Sequence, residues 1–156
     1  MHNKITEEIE KSRNQYYRLV LIAGPSNSGK TVILHNISQK NGFKILNVNL
    51  ELSGNLLDLS KKERMLNAED ILNKIISDNY SAEDTVLLDN TEILFDTELK
   101  MDPMKLLQNL SRNRCIVSTW NGIVNEDSLI YGNPDHAEYR KYNTKDLIII
   151  NTENKT

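Results

Sequence analysis

An α/β fold of three layers, with a mainly parallel five-stranded sheet flanked by helices and no separate lid domain, is predicted by three features of the chain. Strand and helix patterns alternate along it, as in a parallel sheet crossed by helices. The strand candidates carry apolar residues at successive positions, as strands buried on both faces do. Between the first strand and the first well-marked helix lies GPSNSGKT, Gly24 to Thr31, which fits the phosphate-binding P-loop pattern G-x-x-x-x-G-K-S/T. Together they describe the fold of a P-loop nucleoside triphosphatase.

Taken in order, residues 1–17 place Ile5, Ile9 and Tyr16 at helical spacing among polar residues. This helix either packs on the edge of the sheet or lies beside a bound base and ribose. Leu19-Val20-Leu21-Ile22-Ala23 is the first strand. The helix that opens at Lys30 turns Ile33, Leu34 and Ile37 inward, and Gly42 stops it. Lys44 to Asn49 reads as the second strand, and Leu50 to Leu59, without a clean period, as a loop. Ser60 and Glu63 form a capping box for a helix to Ile76, with Met65, Ala68, Leu72 and Ile75 as its buried stripe. Thr85 to Asp89 is a third strand that ends in an acid. Asp102 and Pro103 start a helix that runs to about Ser111 and faces Met104, Leu107 and Leu110 inward. Arg114 to Thr119 is a fourth strand. Asn133-Pro134-Asp135 opens a short helix through Glu138, Tyr139 and Arg140. Leu147 to Ile150 is the fifth strand, and the polar tail 151–156 is expected to fray.

At 156 residues the chain has the size of one domain. Its 26% charged and 38% apolar residues are those of a soluble globular protein. No apolar run approaches the roughly 20 residues of a membrane span. The N-terminus lacks the apolar core of a signal peptide, and the single cysteine, Cys115, sits in an apolar run, so a cytoplasmic location is expected. A net charge of −3 without a basic block gives the lone chain no phosphate-backbone binding surface.

The chemistry centres on the loop. Gly24, Pro25, Ser26, Asn27, Ser28, Gly29, Lys30, Thr31 and Val32 form the nucleotide-binding set. The glycines let successive backbone N–H groups converge on a polyphosphate at the positive end of the following helix. Lys30 reaches the β- and γ-phosphates, and the Thr31 hydroxyl and Asp89 are the magnesium ligands. The expected cofactors are ATP or ADP with Mg2+.

Many such ATPases carry a glutamate directly after the aspartate, where it polarises the attacking water. Here Asn90 holds that position. Glu92 either takes the role or is a surface carboxylate, and slow hydrolysis is the expectation. Thr119 and Asn121 are candidates for contacting the γ-phosphate, the alternative being a strand that ends in an Asn121-Gly122 turn. Trp120 is expected at an edge or an interface. Arg140, or else Arg112 or Arg114, is the candidate transition-state arginine supplied to a neighbouring subunit. For each, the alternative is a solvated arginine.

GPSNSGKT, VLLDNTEILF (Val86 to Phe95), STWNG (Ser118 to Gly122) and PDHAEYRKY (Pro134 to Tyr142) together resemble the BrxF family, small P-loop proteins of BREX phage-defence systems. The resemblance covers nearly the whole chain. The wider layout is similar to a pared-down AAA+ core without a C-terminal lid domain. It implies a homo-oligomer with nucleotide near subunit boundaries, working beside other BREX proteins, among them a methyltransferase that marks host DNA. Any DNA contact would come through the assembly. The implied roles are Lys30 and Thr31 on phosphate and magnesium, Asp89 on magnesium, Thr119 or Asn121 at the γ-phosphate and Arg140 in trans. Two further classes stay open: a nucleotide-dependent scaffold that does not hydrolyse, and a small-molecule P-loop kinase.

Overall fold

The alternation of secondary structure gives a layered α/β molecule in the computed structural model, which describes residues 2–152. The chain runs through α1 (His2–Ser12), β1 (Leu19–Gly24), α2 (Lys30–Asn41), β2 (Lys44–Asn47), α3 (Val48–Leu56) and α4 (Lys61–Asn79). It continues through β3 (Val86–Asp89), two 3-10 turns (Thr91–Phe95 and Thr97–Leu99) and α5 (Pro103–Leu110). The last elements are β4 (Ile116–Asn125), β5 (Ser128–Tyr131), β6 (Arg140–Asn143) and β7 (Ile148–Asn151).

Five strands lie parallel in the spatial order β2-β3-β4-β1-β7. β4 therefore separates the strand that feeds the Gly24–Thr31 loop from the strand that ends in Asp89. Successive residues of β1 face opposite sides of the sheet. Leu19, Leu21 and Ala23 join the core beneath α3, α4 and α5, and Val20 and Ile22 join the core beneath α1 and α2. Ile5 and Ile9 of α1 pack there with Leu34 and Ile37, so α1 lies on the sheet. Cys115 is buried in the same core.

The local signals hold where a few adjacent residues decide the outcome. Ser60 Oγ accepts from Glu63 N at 3.2 Å while Glu63 Oε1 accepts from Ser60 N at 2.9 Å, closing the capping box. Asp102 Oδ1 accepts from the N–H groups of Met104 and Lys105 at the start of α5. It also accepts the Tyr142 hydroxyl at 2.8 Å. Burial and that carboxylate push the phenol well above its usual range, so it stays a donor. Asp102→Ala removes a helix cap and the acceptor of the Tyr142 hydroxyl, and should cost about 2 kcal/mol in urea unfolding. Asp102→Asn keeps an acceptor and should cost less than half as much.

Several expectations are corrected. Residues 50–56 are helical, and only 57–59 form a connection: Asn47 Oδ1 caps Leu50 N at 3.1 Å and α3 buries Val48, Leu52 and Leu56. Exposed Leu50 and Leu57 had blurred that stripe. The second strand accordingly stops at Asn47. α1 ends at Ser12, whose hydroxyl donates back to the Ile9 carbonyl at 2.6 Å, and Tyr16 is 66% exposed.

The Asn121-Gly122 pair is not a turn. β4 runs through it to Asn125 and returns as β5 in an antiparallel hairpin. Gly122 serves close approach, since a Cβ there would lie 1.8 Å from the Ile130 carbonyl oxygen. The expected helix through Arg140 is a pair of turns, with His136 N on Asn133 O and Tyr139 N on His136 O. It is followed by β6, which pairs with β5. The sheet thus gains two antiparallel strands beyond the five expected.

Trp120 sits in the core with no exposed surface. Phe95 and Tyr142 meet it edge to face, with ring centroids 4.8 and 5.6 Å away, and its Nε1 donates to Ile130 O. At the other end of the sheet Asn151 belongs to β7 and Thr152 is buried, so fraying does not begin at 151. Residues 153–156 lie outside the described part.

Candidate functional site

Where β1 ends at Gly24, the chain leaves the sheet and wraps into the first turn of α2. Asn27 (φ 63°) and Gly29 (φ 92°) take left-handed backbone in this wrap. α2 begins at Lys30 directly behind the loop. Its side chain is 6% exposed and its ammonium donates to the carbonyls of Gly24 (3.0 Å) and Pro25 (2.6 Å) and to Ser28 Oγ (3.4 Å). Burial lowers its proton affinity, and the nearby Glu92 and Asp89 carboxylates oppose that shift.

The first turn of α2 meets the end of β3. Thr31 Oγ1 donates to Asp89 Oδ1 at 3.1 Å, across 58 residues of sequence. Asp89 is buried, and the same oxygen accepts the Asn90 N–H at 2.9 Å. Asn90 has left-handed torsions (φ 53°, ψ 57°), a region that asparagine tolerates better than most residues with a side chain. This bend carries the chain from β3 into the first 3-10 turn, and Glu92 comes to line the cavity.

Glu92 Oε1 accepts from Asn121 Nδ2, which also approaches Ser26 Oγ at 3.4 Å. Thr119 plays a different part. It is buried, its carbonyl accepts the Thr91 hydroxyl at 2.8 Å, and its own hydroxyl lies 3.4 Å from the Leu88 carbonyl. It ties the turn that bears Glu92 to β4, and Asn121 is the amide placed beside Glu92 and the loop. Thr91 lay within the VLLDNTEILF segment but was given no role of its own there.

A cavity of about 460 Å³ lies between these groups. Ser26, Gly29, Lys30, Thr31, Asp89 and Glu92 line it, with Asn27, Val32, Asn90, Thr119 and Asn121. Lys30 is the one cationic side chain among its lining residues, facing two carboxylates. Such a site attracts a polyphosphate only with a compensating cation. The hydroxyl and carboxylate oxygens of Thr31 and Asp89 are the hard donors that magnesium takes, so the residues present fit that ion. Among the described residues, no three His, Cys, Asp or Glu side chains are grouped to hold a metal by themselves.

None of the candidate arginines lines the cavity. Arg140 stands on β6 and donates to the Met101 carbonyl at 2.9 Å. Arg114 donates to the carbonyls of Tyr80 and Ser81, and Arg112 lies over the Tyr16 ring at 5.1 Å. Pro25 belongs to the site only through its carbonyl, which holds Lys30.

No protein-family model matches the chain, and no curated protein matches it. Among solved structures it is similar to PCH-2 of C. elegans at 16% identity, with a TM-score of 0.44 over 80% of this chain. The similarity spans 38% of PCH-2. No helix among the described residues is long and apolar enough to cross a membrane.

Proposed function

We propose that the chain is a magnesium-dependent ATP-binding protein that hydrolyses ATP slowly, as a nucleotide-controlled component of an oligomeric phage-defence assembly. The observation that carries the nucleotide reading is the Thr31–Asp89 contact, which brings the end of the loop motif and the strand-end acid together beside Lys30. The loop N–H groups and Lys30 would bind the phosphates, and Thr31 and Asp89 would hold magnesium. Bound magnesium would neutralise charge on the phosphate oxygens.

Glu92 would accept the proton of the attacking water, and Asn121 would orient the water or the γ-phosphate. The two are paired through one carboxylate oxygen, so Asn121 would hold Glu92 in place while the other carboxylate oxygen takes the water. Contacts of Asn121 and Glu92 with the terminal phosphate and its water would make that phosphate the signal that separates two states of the site. The defence role rests on the resemblance of VLLDNTEILF, STWNG and PDHAEYRKY to the BrxF family.

A second reading, a scaffold that binds nucleotide only to assemble, is favoured by Asn90 in place of an acid. A kinase would need an arginine-bearing lid, and the cavity lining contains no arginine.

Light scattering on size-exclusion chromatography with magnesium and ATP, ADP or no nucleotide, coupled to phosphate release, tests the proposal. Assembly with ATP and release of phosphate is the expected result. Arg140→Ala should keep ATP binding within about threefold and lose turnover roughly 100-fold, if it acts in a neighbour's site as an arginine finger does. Assembly without phosphate release transfers the conclusion to the scaffold, and phosphate transfer to an added metabolite to a kinase.

A further inference from the structure

β1 is held between β4 and β7, and both neighbours reach the phosphate loop from their C-terminal ends. Gly24 is in register with Asn121 on one side, and Ala23 with Asn151 on the other. The next residue on that second side, Thr152, stands level with the start of the loop. Its N–H donates to the Ala23 carbonyl at 2.9 Å, and its hydroxyl donates to Ser28 Oγ at 3.0 Å. On the opposite side Asn121 approaches Ser26 Oγ. Each serine of the loop is therefore held by one of the strands that flank β1.

Three further observations concern the Thr152 side. Thr152 is 6% exposed, so its hydroxyl depends on a protein partner. A Cβ on Gly24 would lie 1.9 Å from Thr152 Oγ1 and 2.5 Å from Ser28 Oγ, so this hydroxyl pair fills the space that Gly24 leaves open. Ser28 Oγ is also 3.4 Å from the Lys30 ammonium. The sequence runs Thr152 to Ser28 to Lys30, from a buried strand end to the cation of the cavity.

We infer that Thr152 is a positioning residue of the phosphate loop: it holds Ser28, and through Ser28 the loop backbone and Lys30, in the conformation that receives a polyphosphate. The inference rests on the nucleotide reading above. Its physical basis is preorganisation, because a loop already ordered before binding loses less freedom when the ligand arrives. Thr152 does not touch the nucleotide and acts only through Ser28.

The test compares Thr152→Val, which keeps the shape and removes the hydroxyl, with Thr152→Ser, Ser28→Ala, the double variant Thr152→Val/Ser28→Ala, and Lys30→Ala. Two quantities are read on the whole chain: the dissociation constant for Mg-ATP, and hydrogen exchange of the amides of residues 26–29 without nucleotide. Thr152→Val should weaken Mg-ATP binding roughly fivefold to tenfold and speed loop exchange, while Thr152→Ser stays within about twofold of wild type. Ser28→Ala, which also removes the Lys30 contact, should lose at least as much as Thr152→Val, and the double variant should lose no more than Ser28→Ala alone.

Binding by Thr152→Val within about twofold of wild type, unchanged loop exchange, failure of serine to restore binding, or additive losses in the double variant would each overturn the inference. Because Ser28→Ala probes the same hydrogen bond from the other side, a poorly folding Thr152→Val still leaves a decision. Lys30→Ala separates the two claims. If it binds Mg-ATP as tightly as wild type, the nucleotide reading fails and this inference falls with it. If it loses binding while Thr152→Val does not, only the role of Thr152 is wrong.

Discussion

Lys30→Ala should weaken Mg-ATP binding by roughly 100-fold, read by calorimetry or a fluorescent nucleotide, and should end measurable turnover. The reason lies in the charge of the cavity. Lys30 is its one cationic lining residue, and Asp89 and Glu92 face the same space. Without Lys30 a polyphosphate would meet two carboxylates opposed only by loop N–H groups and whatever magnesium is recruited.

The ammonium is also held in place before any ligand arrives, by the Gly24 and Pro25 carbonyls at 3.0 and 2.6 Å. Lys30→Arg should restore little, because a planar guanidinium cannot occupy a pocket shaped for a compact ammonium. Removing three hydrogen bonds also loosens the free protein, so a modest fall in thermal midpoint should accompany the loss of binding. Binding within about threefold of wild type would sink the phosphate-loop reading.

The second large effect belongs to Glu92. Glu92→Gln should leave Mg-ATP binding within a few-fold and lower phosphate release by about 100-fold or more, as loss of a general base does. Glutamine keeps an acceptor oxygen for Asn121, so the variant changes proton affinity with little change of shape. Asn121→Ala should also slow turnover, through loss of the group that orients water or phosphate, although it frees the carboxylate. Should Glu92→Gln hydrolyse ATP as fast as wild type, another group is the base. Should wild type release no phosphate at all, the scaffold reading stands in its place.

The groups in these two experiments were legible to different degrees. Lys30, Thr31 and Asp89 could be named because a phosphate loop is built by a short run of residues between a strand and a helix, and an apolar run with a terminal acid marks the companion strand. Glu92 and Asn121 could be named as polar residues near strand ends, but their direct pairing could not. It requires the left-handed bend at Asn90 and the insertion of β4 between β1 and β3.

The same division explains the misread segments. Val48, Leu52 and Leu56 make a buried stripe of three residues, too short to stand out beside exposed Leu50 and Leu57. Arg140 to Asn143 is a polar run with no strand signal, and it becomes β6 because β5 presents a free edge to pair with. Trp120 was expected at a boundary, yet that hairpin and Phe95 enclose it.

The sequence by itself therefore determined the layered α/β class, the helix caps at Ser60 and Asp102, and the loop with its lysine, threonine and companion aspartate. The class, the caps and the loop depend on torsions and hydrogen bonds among residues a few positions apart, or on the period of an apolar pattern. The contact of Thr31 with Asp89, by contrast, spans 58 residues and needed the strand order. Only the tertiary structure decided which strands flank β1, and hence that Asn121 reaches the loop from one side and Thr152 from the other. A hydrogen bond such as that between Thr152 and Ser28, 124 residues apart, exists only once strand order and register bring the two hydroxyls together.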